Sequence, residues 1–179
     1  LNRITQFDKE GEVLGTWGEK GSLDGQFDRP AGMTFDLDGN ILIVDSMNHR
    51  IQKFTTDGKF LGKWGSRGSG DGEFESPWGI TVDELGDVYV ADWGNDRIQY
   101  FDSDGAFLGM WRSGVSGPGE FESPTAIDID GAGVVEVDVG EQRSGEAGYL
   151  AVYLLGDGLE AAHAASLGFS MKRNQTLIF

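Results

Sequence analysis

The sequence contains no cysteine, which excludes a disulfide framework and thiolate chemistry. Histidine is nearly as scarce. With only His49 and His163, the chain does not supply the clustered imidazoles of a metal centre or a nucleophile–base pair, and no catalytic or metal-ligating set is assigned. Positive charge is thin as well: fourteen Lys and Arg stand against thirty Asp and Glu, a net charge of −16. Phosphate backbones are bound chiefly through Lys and Arg, and here those residues are few and scattered, so nucleic acid is not an expected partner. No apolar run approaches the roughly 18 residues needed to span a bilayer, and no charged-then-apolar leader precedes Leu1. No membrane partner is expected, and the compartment is left open by all of these absences.

What the sequence does contain is a repeat. Arg3, Arg50 and Arg97 stand 47 residues apart, and the same spacing separates Phe7, Phe54 and Phe101. It separates Trp17, Trp64 and Trp111, then Phe27, Phe74 and Phe121, and then Pro30, Pro77 and Pro124. Each unit carries four short apolar segments divided by turn signals. In the second unit these are Gly79-Ile-Thr-Val-Asp83, Asp87-Val-Tyr-Val-Ala91, Arg97-Ile-Gln-Tyr-Phe101 and Phe107-Leu-Gly-Met-Trp111, strands a to d. Asp-Gly and similar pairs at the joints suit tight hairpins, because Gly and Asn tolerate positive φ. Sheets that are apolar on both faces must be sandwiched between neighbours, and radial packing of four-stranded sheets achieves this. The expected fold is all-β, a β-propeller.

The motifs Pro77-Trp-Gly-Ile80, Val88-Tyr-Val-Ala-Asp92, Gly94-Asn-Asp-Arg-Ile-Gln99 and Gly68-Ser-Gly-Asp-Gly-Glu-Phe74 resemble the NHL repeat of six-bladed propellers. The resemblance covers roughly residues 1 to 139 and implies an incomplete ring of about three blades plus an N-terminal half-blade. At ~45 residues per blade, 179 residues hold fewer than four whole repeats. A piece of a larger ring, or a chain that closes with another copy, is the expectation, with self-association through open blade faces.

Along the chain, residues 1–18 read as strands c and d of the half-blade, with full blades near 30–64 and 77–111. Residues 140–179 read as a degenerate third blade followed by a short helix, Leu159 to Ser170, and a final strand. In that third blade Asp138 and Arg143 align with Asp92 and Arg97 after a one-residue deletion. Ser144-Gly-Glu-Ala147 replaces strand c, and Gly148 to Leu155 resembles strand d. The Gly-rich segments 18–27 and 65–74 recur as inter-blade connectors and lack the lysine of a phosphate-binding loop. Asp36-Leu-Asp-Gly-Asn40 has calcium-like carboxylates, but its siblings lose them, so a hairpin turn is expected.

Residues that obey the period belong to the fold. Asp45 with Arg50, and Asp92 with Arg97, are read as structural pairs across the turn between strands b and c. Trp17, Trp64 and Trp111 are read as core, buried on the outer d strands. Trp78 and Trp93 break the period, since their counterparts are Ala31 and Thr125 for one and Ser46 for the other. Large aromatics in loops on a rigid frame suit binding hot spots. A partner-binding surface is therefore expected at Trp78 and Trp93, with Arg29, Met47 and His49 as neighbours. The expected function is a protein- or peptide-binding module without a cofactor. The alternative is a fragment of a propeller enzyme, a metal-dependent lyase or hydrolase, with catalytic residues largely outside this chain.

Overall fold

The structure, a computed structural model, describes residues 2–112, 123–130, 133–139 and 150–154. The chain is an incomplete β-propeller, with sheets arranged side by side and the ring left open. Strands β1 (Ile4–Phe7) and β2 (Val13–Trp17) form an antiparallel pair. A short parallel pair, β3 (Glu19–Lys20) and β4 (Gln26–Phe27), folds the connector back on itself. The first four-stranded blade has β5 (Pro30–Phe35), β6 (Ile41–Asp45), β7 (Arg50–Phe54) and β8 (Phe60–Trp64) in sequential order. The second repeats that order with β9 (Ile80–Val82), β10 (Val88–Asp92), β11 (Arg97–Phe101) and β12 (Phe107–Arg112). The last sheet holds β13 (Pro124–Ile129), β14 (Val134–Val139) and β15 (Leu150–Leu154). Among the described residues the only helical segments are 3-10 turns at Ser46–Asn48 and Trp93–Asn95, and no helix there is long and apolar enough to cross a membrane.

The alternation of side chains along each b strand explains why the sheets stack. Ile41 and Ile43 face the N-terminal pair, packing with Phe27, Phe54, Ile4 and Trp17. Leu42 and Val44, on the opposite face of the same strand, pack with Ile80, Val88, Val90 and Phe101 of the next blade. Tyr89 and Ala91 then turn the other way to meet Ile127, Val135 and Val137. Each of the two full blades thus donates one apolar row to each neighbour. Phe27 and Phe74, both fully buried, carry the connectors into these layers, while their counterpart Phe121 lies outside the described residues.

The a strands converge on one another. Gly32 N donates to Trp78 O at 2.9 Å, and a Cβ on Gly32 would stand 2.5 Å from that oxygen, so no larger residue fits where β5 passes the next blade.

Three expectations are corrected. Trp17, Trp64 and Trp111 are only half-buried. The d strand is the outermost of each full blade, and the indole of Trp64 packs one side on the core while lying on the turn at Gly105, where a Cβ would come within 2.6 Å of the ring. Its Nε1 is buried without a hydrogen-bond partner.

In the last blade, Leu150–Leu154 occupies the strand c position beside β14, and is not strand d as its sequence suggested. Leu150 stands opposite Asp138, at the register position where Arg97 stands opposite Asp92 and where the alignment puts Arg143. Asp138 is exposed. The C-terminal helix and final strand, and Arg143 itself, lie outside the described residues.

The Asp36–Asn40 segment is a turn closed by its own carboxylate. Asp36 Oδ1 accepts from the amides of Asp38 at 3.0 Å and Asn40 at 2.7 Å. Asp8, Asp83 and Asp102 accept from the amides two and four residues on in the same way.

Candidate functional site

The connector before each full blade is clamped by a buried polar knot. In the second blade Arg97, fully buried, donates from Nε to Asp92 Oδ2 at 2.7 Å. Its terminal nitrogens reach the carbonyls of Ser69 at 2.9 Å, Gly70 at 2.8 Å and Glu73 at 2.7 Å. Gln99 Nε2 shares the Glu73 carbonyl, Asn95 donates to Gly68 O and Asp92 Oδ2, and Asp92 Oδ1 accepts from the Glu75 amide. Arg50, Asp45, Gln52 and Asn48 build the same knot one repeat earlier, on the connector from Gly21 to Asp28. Burial pushes the Asp92 carboxyl upward, opposed by its bonds to Asn95, Arg97 and the Glu75 amide.

A second recurring contact ties the connector to the preceding blade. Arg29, Ser76 and Ser123, one per repeat, hold φ near +50°, a conformation uncommon for residues other than glycine. Each donates its amide to a side chain 27 residues back: Arg29 to Asn2 Oδ1 at 2.8 Å, Ser76 to His49 Nδ1 at 3.0 Å, and Ser123 to Asp96 Oδ1 at 2.8 Å. Positions 2, 49 and 96 obey the 47-residue period and hold Asn, His and Asp. The signal was therefore in the sequence, masked because three different residue types share only a hydrogen-bond acceptor in common.

These two devices fix the entry to strand a and the b-to-c turn, and between the two full blades those elements enclose an open concavity of about 410 Å³. It is lined by Arg29, Pro30, Ala31, Ser46 and Met47 on one blade and by Ser76, Trp78 and Trp93 on the other. The broken period shapes it. The two places that hold indoles on the second blade hold the small side chains of Ala31 and Ser46 on the first, so the indoles face a hollow their own repeat left open.

Trp78 is 42% exposed and Trp93 38%, as is usual for neither a core aromatic nor a free one. The backbone of Trp78 is held on both sides, its amide donating to Ala91 O at 2.9 Å and its carbonyl accepting from Gly32. Met47 is 41% exposed, and its amide bonds to Asp28 O.

Four of the five residues expected at a binding surface, Trp78, Trp93, Arg29 and Met47, therefore meet at one concavity. His49 does not line it. Its side chain is 12% exposed and serves the Ser76 amide, with Glu75 Oε1 at 3.9 Å. Pro30, Ala31, Ser46 and Ser76 complete the lining and were not singled out in the sequence, since each is an ordinary repeat residue. Among the described residues no group of His, Asp or Glu is arranged to hold a metal ion.

Comparison with known proteins agrees with the fold. Residues 34–116 match the family DUF5128, described as a 6-bladed beta-propeller. No curated protein matches the chain. Among solved structures, a streptogramin B lyase is similar over 86% of this chain and 48% of its own, at 18% identity and a TM-score of 0.59. The hydrazine synthase of Kuenenia stuttgartiensis is similar over 86% of this chain and 40% of its own, at 13% identity and a TM-score of 0.64. A structural genomics protein of unknown function from Bacteroides thetaiotaomicron is similar over 76% and 39%, at 23% identity and a TM-score of 0.61. The chain spans half or less of the length of these propeller proteins, and at such identities the likeness is one of fold.

Proposed function

We propose that this NHL-type propeller segment is a protein- or peptide-recognition module and that the concavity between its two full blades is the recognition site. The observation that carries this reading is the convergence of two half-exposed indoles, neither required by the repeat, with Met47 and Arg29 on a frame that is otherwise periodic. Half-exposed Trp residues set beside a cation are the side-chain chemistry of protein-binding hot spots. The net charge of −16 favours a protein or peptide over nucleic acid.

The test is selection of a displayed random-peptide library against the protein, with the Trp78→Ala/Trp93→Ala double variant as counter-screen. Selected peptides are expected to bind the parent and to lose at least ~2 kcal/mol on truncation of either indole. Both variants should unfold within a few degrees of the parent. If no enriched peptide distinguishes parent from double variant, the proposal fails.

A further inference from the structure

We propose, resting on the peptide-recognition reading above, that the occupant of the concavity is an acidic apolar segment. An aromatic or long aliphatic side chain enters between Trp78 and Trp93, and a neighbouring carboxylate pairs with Arg29. The concavity has one charged residue in its lining, Arg29, and no carboxylate. In a chain with thirty acidic residues that is an unusual local balance.

Four of the five other described guanidiniums are engaged. Arg50 and Arg97 are consumed by the buried knots, Arg67 pairs with Glu75 at 3.0 Å, and Arg112 donates to Ser69 O. Arg29 is exposed and makes no side-chain hydrogen bond or ion pair among the described residues. Its backbone, by contrast, is fixed by the bond from its amide to Asn2 and by Pro30 after it, so the guanidinium hangs from an anchored point at the rim. Glu75, just before Ser76, is already held by Arg67 beside His49.

A guanidinium meets a carboxylate through two parallel hydrogen bonds, a geometry that a lone cation beside an apolar floor favours for an incoming acid. The net charge of the chain argues for a basic partner at long range. That field is screened beyond roughly 8–10 Å at ordinary ionic strength, whereas the contact with Arg29 is made at hydrogen-bond distance. A basic segment would bring a second cation against the first. Its only compensation is cation–π attraction to the indoles, and that outcome is separable by experiment.

The experiment uses the full chain and three N-acetylated, C-amidated pentapeptides, Gly-Leu-Phe-X-Gly, with X glutamate, glutamine or lysine. Binding is read by titration calorimetry and by the indole N–H resonances of Trp78 and Trp93. The glutamate peptide is expected to bind about tenfold more tightly than the lysine peptide, and Arg29→Gln should abolish that preference. If all three bind alike and Trp78→Ala weakens them alike, recognition at the concavity stands and the acidic preference is refuted. If the lysine peptide binds most tightly, cation–π capture replaces the proposal. If none binds at millimolar concentration, or Trp78→Ala makes no difference, the recognition reading itself falls.

Discussion

Replacing Arg97 by Ala tests whether the buried knot is what holds the connector to the blade. The side chain is fully buried and makes five hydrogen bonds, one to Asp92, three to the carbonyls of Ser69, Gly70 and Glu73, and one to Met110 Sδ. Its removal leaves the Asp92 carboxylate, itself 0% exposed, without its cation. Breaking one side of a buried ion pair costs about 3–5 kcal/mol, a large part of the stability of an ordinary domain. For a chain of this length that corresponds to a fall in Tm of roughly 6–20 °C.

Arg97→Lys keeps the charge but loses the fork that reaches three carbonyls, and should fall between Arg97→Ala and the parent. The Asp92→Ala/Arg97→Met double variant should cost less than the sum of the two single changes, because no charge is then stranded. In the last described sheet Leu150 stands opposite Asp138, and Asp138 is exposed. Urea unfolding followed by tryptophan fluorescence and far-UV circular dichroism measures these differences. A cost below about 1 kcal/mol for Arg97→Ala would refute the reasoning, since it would mean that the connector does not depend on the knot.

Three further predictions follow from single contacts. His49→Asn should be at least as stable as the parent, because Asn2 performs the same task in the preceding repeat and Asn tolerates positive φ, whereas His49→Ala should lose about 1–2 kcal/mol; equal stabilities in thermal unfolding would deny the role of the Ser76 bond. Burial raises the Asp36 carboxyl, but bonds from Lys53, the Asn40 side chain and the Asn40 amide outweigh it and hold the group below its ordinary value. A depressed folded-state value means the stabilisation is complete above the unfolded carboxylate range near ~3.9 and is lost as pH falls through the folded value, so Asp36→Asn should flatten the acid limb of a stability–pH curve, and an unchanged limb would contradict this. Finally, Phe7, Val13 and Leu14 are each more than half exposed on the N-terminal pair, so the chain is expected to associate with rising concentration in sedimentation velocity and Val13→Lys with Leu14→Lys to reduce this; a parent that stays monomeric, or association unaltered by both changes, would contradict it.

The propeller was legible because its determinants are repeated. Any one Phe or Trp is ambiguous, but the same residue at 47-residue intervals fixes blade after blade, and the alternation Ile41-Leu42-Ile43-Val44 announces two buried faces. The indoles at Trp78 and Trp93 were legible for the opposite reason, as departures from that interval. What escaped was whatever depends on distance across the fold. The latch through Asn2, His49 and Asp96 joins residues 27 apart by function and not by identity. His49 was thus misread as surface chemistry. In the last blade the loss of the Ile-Gln motif removed the sequence mark of strand c, yet backbone pairing asks only for a segment that can extend beside β14, and Leu150–Leu154 fills the place. The half-burial of Trp64 reflects its position on the outermost strand, which periodicity alone does not reveal.

The connector between the two full blades is gripped from both ends. His49 of the blade behind takes the amide of Ser76, and Arg97 of the blade ahead takes the carbonyls of Ser69, Gly70 and Glu73. For one sheet to swing against the next, at least one grip must open, so the gap between Met47 and Trp78 has a width set before the proposed ligand arrives. A visitor to such a gap finds little to rearrange. Related ligands should therefore associate at similar rates and differ mainly in how long they stay, with poorly shaped ones expelled quickly instead of being accommodated.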